Sequence, residues 1–173
     1  GLFQRWQSLK HYHHLVNQVE EITVVIKQYV LERFEREYNL LIELPGVSAI
    51  VACVILSEIG PNVEAFKSQG NLASWAGVCP GSYESAGIKK SSHTTQGNKY
   101  LKSSLFQAGG TAGRSKDEAF HNLYARISGR SSKMKAIIAC AHKMIRVIYK
   151  ILSTGEHYDA KKALGLRQQA RAN

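Results

Sequence analysis

Apolar residues recur at three- and four-residue steps between Leu15 and Leu44: Leu15, Val19, Ile22, Val25, Ile26, Tyr29, Val30, Phe34, Tyr38 and Leu41. Glu20, Glu21, Lys27, Glu32, Arg33, Glu35 and Arg36 fill the other faces, which predicts one long amphipathic helix. A helix of about 30 residues extends about 45 Å, more than one small core covers. The stripe therefore predicts a second helix against it, from another subunit or from an intramolecular hairpin. Pro45 stops the helix and Gly46 permits a sharp turn. Ser48 is placed to cap a second helix, with Ile50, Val51, Val54, Ile55 and Ile59 inward and Pro61 at its end. Asn71 predicts the cap of a brief helix, LASWAG, that buries Trp75.

Periodicity is lost over 78–95, which reads as a loop or short strand pair. Gly97-Asn98 opens another helix, whose Ala108, Gly109, Gly110, Ala112 and Gly113 make sense where a second backbone approaches closely. Residues 117–128 start with Asp117 and Glu118, as a helix dipole prefers, and end at Gly129. Over 131–153 a core face (Met134, Ile137, Ile138, Ala141, Met144, Ile145, Ile148, Ile151, Leu152) alternates with a basic one (Lys133, Lys135, Lys143, Arg146, Lys150), and Gly155 stops the helix. The expected fold class is all-α. A coiled-coil-like helix (1–40) precedes a helical domain (41–158) and a basic tail (159–173).

Charge adds a polarity to this layout. The net charge is +10, but residues 1–84 carry −3 and residues 85–173 carry +13. Such asymmetry points to an acidic partner for the C-terminal half, nucleic acid before an anionic membrane. No run of about 18 apolar residues exists to span a membrane, and no signal peptide is visible. Cys53, Cys79 and Cys140 are odd in number and isolated, and read as buried free thiols of a cytoplasmic protein.

The aperiodic stretch carries the candidate chemistry. From Ser85 to Lys116 there are Lys89, Lys90, Lys99, Lys102, Arg114 and Lys116 and no carboxylate, which suits a polyanion. The free N–H groups of the helix opening near Asn98 would favour a phosphate beside that loop. The turn LPGVS between two helices resembles a helix-hairpin-helix (43–60), in which hairpin amides, here at Gly46, Val47 and Ser48, hold a backbone phosphate; Ser48 stands where the motif has its second glycine. Of the histidines at the start, His11 and His14 alone have helical ligand spacing, and no carboxylate or Cys completes a metal site. Paired carboxylates for two-metal phosphoryl transfer are absent from the basic half. A serine in a cation-rich, Gly-flanked loop, Ser85 in the serine loop 80–97, can attack phosphorus if its neighbours neutralise the developing charge, with Glu84 or His93 as proton relay. The residues equally allow a helix-hairpin-helix module that holds DNA without chemistry, or an oligomerisation scaffold built on 15–44.

The ordered blocks LPGVS, EIG, LASWAGVCPG, ESAG, GN-x-YL, LYARI-x-GR and AHK, from about Leu41 to Tyr158, resemble the C-terminal transposase domain of the DEDD-type insertion-sequence transposases. These are serine recombinases described as guided by a bridge RNA, and they include the pilin-gene invertases. The resemblance implies that Ser85 is the nucleophile that joins covalently to DNA. It also implies that Lys102 stands where the family usually has Arg, which forgoes a bidentate phosphate contact. It implies DNA as partner and a guide RNA as a further one, in the bacterial or archaeal cytoplasm at the nucleoid, while the apolar stripe of 15–44 predicts a homo-oligomer formed through it. The family's N-terminal ribonuclease-H-like domain, whose four acidic residues bind Mg²⁺, has no counterpart in these residues. The sequence is thus expected to be a C-terminal fragment, holding no cofactor itself, whose active site is completed by that other half.

Overall fold

The first helix, α1, runs from Leu2 to Ile42 with a kink at Phe34 (φ −136°, ψ 34°). The structure, a computed structural model, describes residues 1–79, 83–85, 88–91, 94 and 96–165, with the backbone alone at 83–85 and 88–91. Among these residues α2 (Ala49–Ile59), α3 (Gln69–Trp75), α4 (Lys99–Arg114), α5 (Glu118–Arg130), α6 (Lys133–Thr154) and α7 (Ala160–Gly165) follow. One antiparallel hairpin, β1 (Tyr83–Ser85) and β2 (Ile88–Ser91), interrupts the helices between α3 and α4. The fold is all-α around that hairpin, as the periodicity predicts.

The core is built on α6. Its Ala136, Cys140, Ala141, Met144, Ile145, Ile148 and Ile151 are buried, and α3, α4, α5 and the end of α1 pack around it. Each large aliphatic side chain among them contributes about 1.5–3 kcal/mol of transfer free energy. The glycines of α4 let two helix backbones meet, since a Cβ at Gly109 would lie 2.7 Å from the Ala141 amide nitrogen. Gly113 makes room in the same way for the Tyr124 ring of α5.

Several helix starts are set by a short polar side chain. Ser48, Asp117 and Ser132 accept from Val51 N, Phe120 N and Lys135 N respectively. At α3 the cap is Ser68 and not Asn71, because Ser68 lies one residue before the helix and its hydroxyl accepts from the Asn71 amide. Trp75 is correspondingly half out of the core, at 40% exposure, with its ring tilted against Phe66. Helix α5 continues through Gly129 to Arg130. Gly155 does stop α6, at φ +67°.

Two faces differ from their expectation. Met134 is exposed, and the basic face of α6 is partly turned inward. Lys143 Nζ donates to the Ala119 carbonyl at 2.8 Å and Arg146 Nε to Gln69 Oε1 at 3.1 Å, so both cations tie α6 to its neighbours. Burial lowers the Lys143 pKa, against the opposing pull of Asp117. Of the thiols, Cys53 and Cys140 are buried and Cys79 is half-buried.

Candidate functional site

The serine stretch leaves and re-enters the core through a narrow neck. On the way out, the Val78 amide donates to the Ala73 carbonyl at 3.1 Å and the Val78 side chain is fully buried. On the way back, the Asn98 amide donates to the Trp75 carbonyl at 3.1 Å. Gly77 and Gly97 touch backbone to backbone: a Cβ at Gly97 would lie 2.6 Å from both Gly77 Cα and the Trp75 carbonyl oxygen. Gly77 itself takes φ +71°, which few side chains tolerate. The two ends of the excursion are thus pinned together and to the end of α3.

Between those ends stands the β1–β2 hairpin. Its register pairs Tyr83 with Ser91, Glu84 with Lys89 and Ser85 with Ile88, with an irregularity between Tyr83 and Glu84. Ser85 is therefore the last residue of β1, next to the two-residue connection, and Lys89 and Lys90 lie on β2. The side chains of Ser85, Lys89 and Lys90 lie outside the described residues, as does His93. Lys99 and Lys102 start α4 directly after the neck, Lys99 over the exposed Tyr100 ring (4.9 Å) and Lys102 over Phe106 (5.8 Å). The order of the chain thus brings four expected phosphate-binding lysines to one segment with Ser85.

Other expected features serve the scaffold. The Tyr100, Leu101 and Lys102 amides at the start of α4 are already used: Asn98 Oδ1 accepts from Tyr100 N (3.1 Å) and Leu101 N (3.0 Å), and the Asn98 carbonyl accepts from Lys102 N. The 43–48 turn packs inward. Gly46, at φ +83°, faces the backbone of α4, where a Cβ would lie 2.8 Å from Ala112 N. Val47 is buried and donates its amide to the Leu44 carbonyl, and Ser48 caps α2. That geometry makes these three residues the joint between α1, α2 and α4.

Sequence reasoning missed Glu58. Its Oε2 accepts from Asn98 Nδ2, forty residues away in the chain. Glu58 stands in the EIG block and Asn98 in the GN block, so each was visible as a motif residue while their pairing was not.

Titration narrows the available chemistry. Burial pushes the Cys140 thiol up to about 11 and raises Cys53 and Cys79 as well, so none is activated as a thiolate. Burial, with Arg146 nearby, lowers the His142 pKa. Asp117 is occupied twice, by the α5 amide of Phe120 and by the Tyr158 hydroxyl at 2.9 Å. No three His, Cys, Asp or Glu side chains among the described residues are grouped to hold a metal ion.

Among the described residues the domain is all-α with one short hairpin, whose β1 ends in Ser85, followed in the chain by α4, which opens with Lys99 and Lys102. Residues 38–125, half of the chain, match the model of the Transposase IS116/IS110/IS902 family, and the chain belongs to that family. It is 29% identical over 135 residues to a "Putative transposase y4pF/y4sB" of Sinorhizobium fredii, covering 74% of this chain and 34% of the relative. To an "Insertion element IS110 uncharacterized 43.6 kDa protein" of Streptomyces coelicolor it is 28% identical over 133 residues, 76% of this chain and 32% of the relative. To a "Pilin gene-inverting protein" of Moraxella bovis it is 29% identical over 127 residues, 71% of this chain and 39% of the relative. The chain spans about a third of the length of the relatives it matches.

Proposed function

We propose that this chain is the DNA-binding and strand-transfer part of an insertion-sequence transposase, with Ser85 as its nucleophile. The observation that carries this reading is the pinned neck: within the family-matching stretch, the neck closes off the excursion whose strand β1 ends in Ser85, and the chain passes from it directly into the lysine-bearing start of α4. In the reaction, Ser85 Oγ gives up its proton and bonds to phosphorus. The bond from phosphorus to a sugar oxygen breaks, and that oxygen takes up a proton. The phosphate stays a diester, so a second sugar hydroxyl can attack it and release the serine without an energy source. Lys89, Lys90, Lys99 and Lys102 neutralise charge on the phosphoryl oxygens. The magnesium-binding carboxylates implied by the resemblance belong to other parts of the longer polypeptide.

DNA is the primary partner and a guide RNA a further one, both met by the basic half. The exposed apolar stripe of α1 supports self-association through 15–44. No described helix is long and apolar enough to cross a membrane.

The test is Ser85→Ala in the full-length transposase. A nicked suicide duplex should trap a phosphoserine adduct on the unmodified protein and none on the variant, with DNA binding nearly intact. The fold should lose no more than about 0.5–1 kcal/mol, the contribution of one modest hydrogen bond. Alanine at Ser82, Ser91 or Ser92 should leave adduct formation in place. An adduct that survives Ser85→Ala, or that needs Ser91 or Ser92 instead, would remove Ser85 from this role.

A further inference from the structure

Helix α2 lies antiparallel to α4 along its length. Its start meets the middle of α4, where Gly46 faces Ala108 and Ala112, and its last turn meets the α4 N-terminus, where Glu58 meets Asn98. Asn98 sits at the point where the serine excursion rejoins the core, and its backbone and side chain are both engaged there. Its backbone amide donates to Trp75, at the other side of the neck. Its Oδ1 takes the Tyr100 and Leu101 amides, so Nδ2 must point away from α4, and Glu58 Oε2 receives it. The carboxylate thus fixes the side chain of the residue that caps α4 with its Oδ1 and closes the neck with its backbone amide. Hydrogen bonds to an ionised acceptor are about twice as strong as neutral ones.

We propose that Glu58 and Asn98 are positioning residues for the Ser85 hairpin: their bond locks the neck, and with it the placement of Ser85 relative to Lys99 and Lys102. The catalytic half of this statement rests on the nucleophile reading above, while the structural half does not. Neither residue touches the phosphate. Both act through the backbone crossing of Gly77 with Gly97.

Asn98→Asp is the discriminating change. Aspartate keeps an oxygen for the two α4 amides, and so keeps the helix cap, but replaces the Nδ2 donor with an oxygen facing Glu58. Adding Glu58→Gln restores a donor–acceptor pair in the opposite sense. Two readouts apply: hydrogen exchange of the 83–91 amides in the 173-residue chain, and the rate of Ser85–phosphodiester adduct formation in the full-length transposase. With Asn98→Asp, hairpin exchange should rise and adduct formation fall by about tenfold each, the effect expected of one charge-assisted bond. Amides within α4 from Leu105 to Ala112 should keep their protection, which excludes general unfolding. The Glu58→Gln/Asn98→Asp pair should bring both readouts back to within about threefold of the unmodified protein. Unchanged hairpin exchange in Asn98→Asp, or no recovery in the pair, overturns the neck. If Ser85→Ala still forms adduct, the nucleophile reading fails on its own, and hydrogen exchange still decides whether the neck is locked.

Discussion

At the scale of single residues, the turn at 45–48 shows how one sequence signal can serve two structures. Leu-Pro-Gly-Val is the spelling of a hairpin that offers amides to a phosphate, and it is equally the spelling of a tight joint between helices. What decides is the direction of the glycine's open side, and here it faces the α4 backbone. Gly46→Ala meets two penalties at once, a left-handed φ of +83° and a Cβ pressed between Ala108 and Ala112. It should lower stability by about 2–4 kcal/mol, combining strain at positive φ with overpacking. Chemical denaturation would read this as a shifted midpoint at unchanged slope. A loss below about 1 kcal/mol would mean that the turn lies off α4. The same lesson holds on α6, where Lys143 and Arg146 read as solvent-facing charge but direct their hydrogen bonds to Ala119 and Gln69.

At the scale of elements, periodicity located the helices well because each carries its own amphipathic record and most carry a capping residue. It could not say what each face meets. Helix α1 is the clearest case: Leu15, Val19, Ile22, Val25, Ile26 and Tyr29 recur as a buried stripe should, yet Ile22 is 58% and Val19 63% exposed. Burial starts only at Val30 and returns at Tyr38, Leu40 and Leu41, where α2 and α6 cover the helix. The self-association proposed through 15–44 would cover this stripe with a second copy of the helix. Glutamate at both Ile22 and Ile26 should therefore turn a self-associated chain into a monomer of unchanged helix content, because two charges in an apolar seam oppose its closure. Sedimentation would show the change of mass and circular dichroism the retained fold. A monomeric unmodified chain at high concentration would end this reading of α1. The candidate site was legible in part for a related reason. The lysines and Ser85 stand close in sequence, so local reading can nominate them together, whereas Glu58 reaches Asn98 only through the packing of α2 on α4.

At the scale of the whole molecule, the decisive property is the separation of charge, −3 before residue 85 and +13 from there on. The ion pairs among the described residues, His157 with Glu43 and Lys162 with Glu156, cancel little of that excess. On the proposed function, a field of this size would draw nucleic acid in through counterion release, with little dependence on base sequence. The affinity for duplex DNA should thus fall steeply with salt. Replacing Lys89, Lys90, Lys99 and Lys102 by Gln should weaken binding and flatten the plot of log affinity against log salt by about 0.9 for each phosphate no longer neutralised. Lys10→Gln is the matched control, because Lys10 lies over Trp6 near the start of α1, in the half of the chain without excess positive charge. Fluorescence anisotropy with one labelled duplex across a series of salt concentrations gives both slopes directly. If the fourfold variant keeps the slope of the unmodified chain, the phosphates are met by α5 to α7 instead, and the lysines around Ser85 lose their part in holding the strand that the serine is proposed to attack.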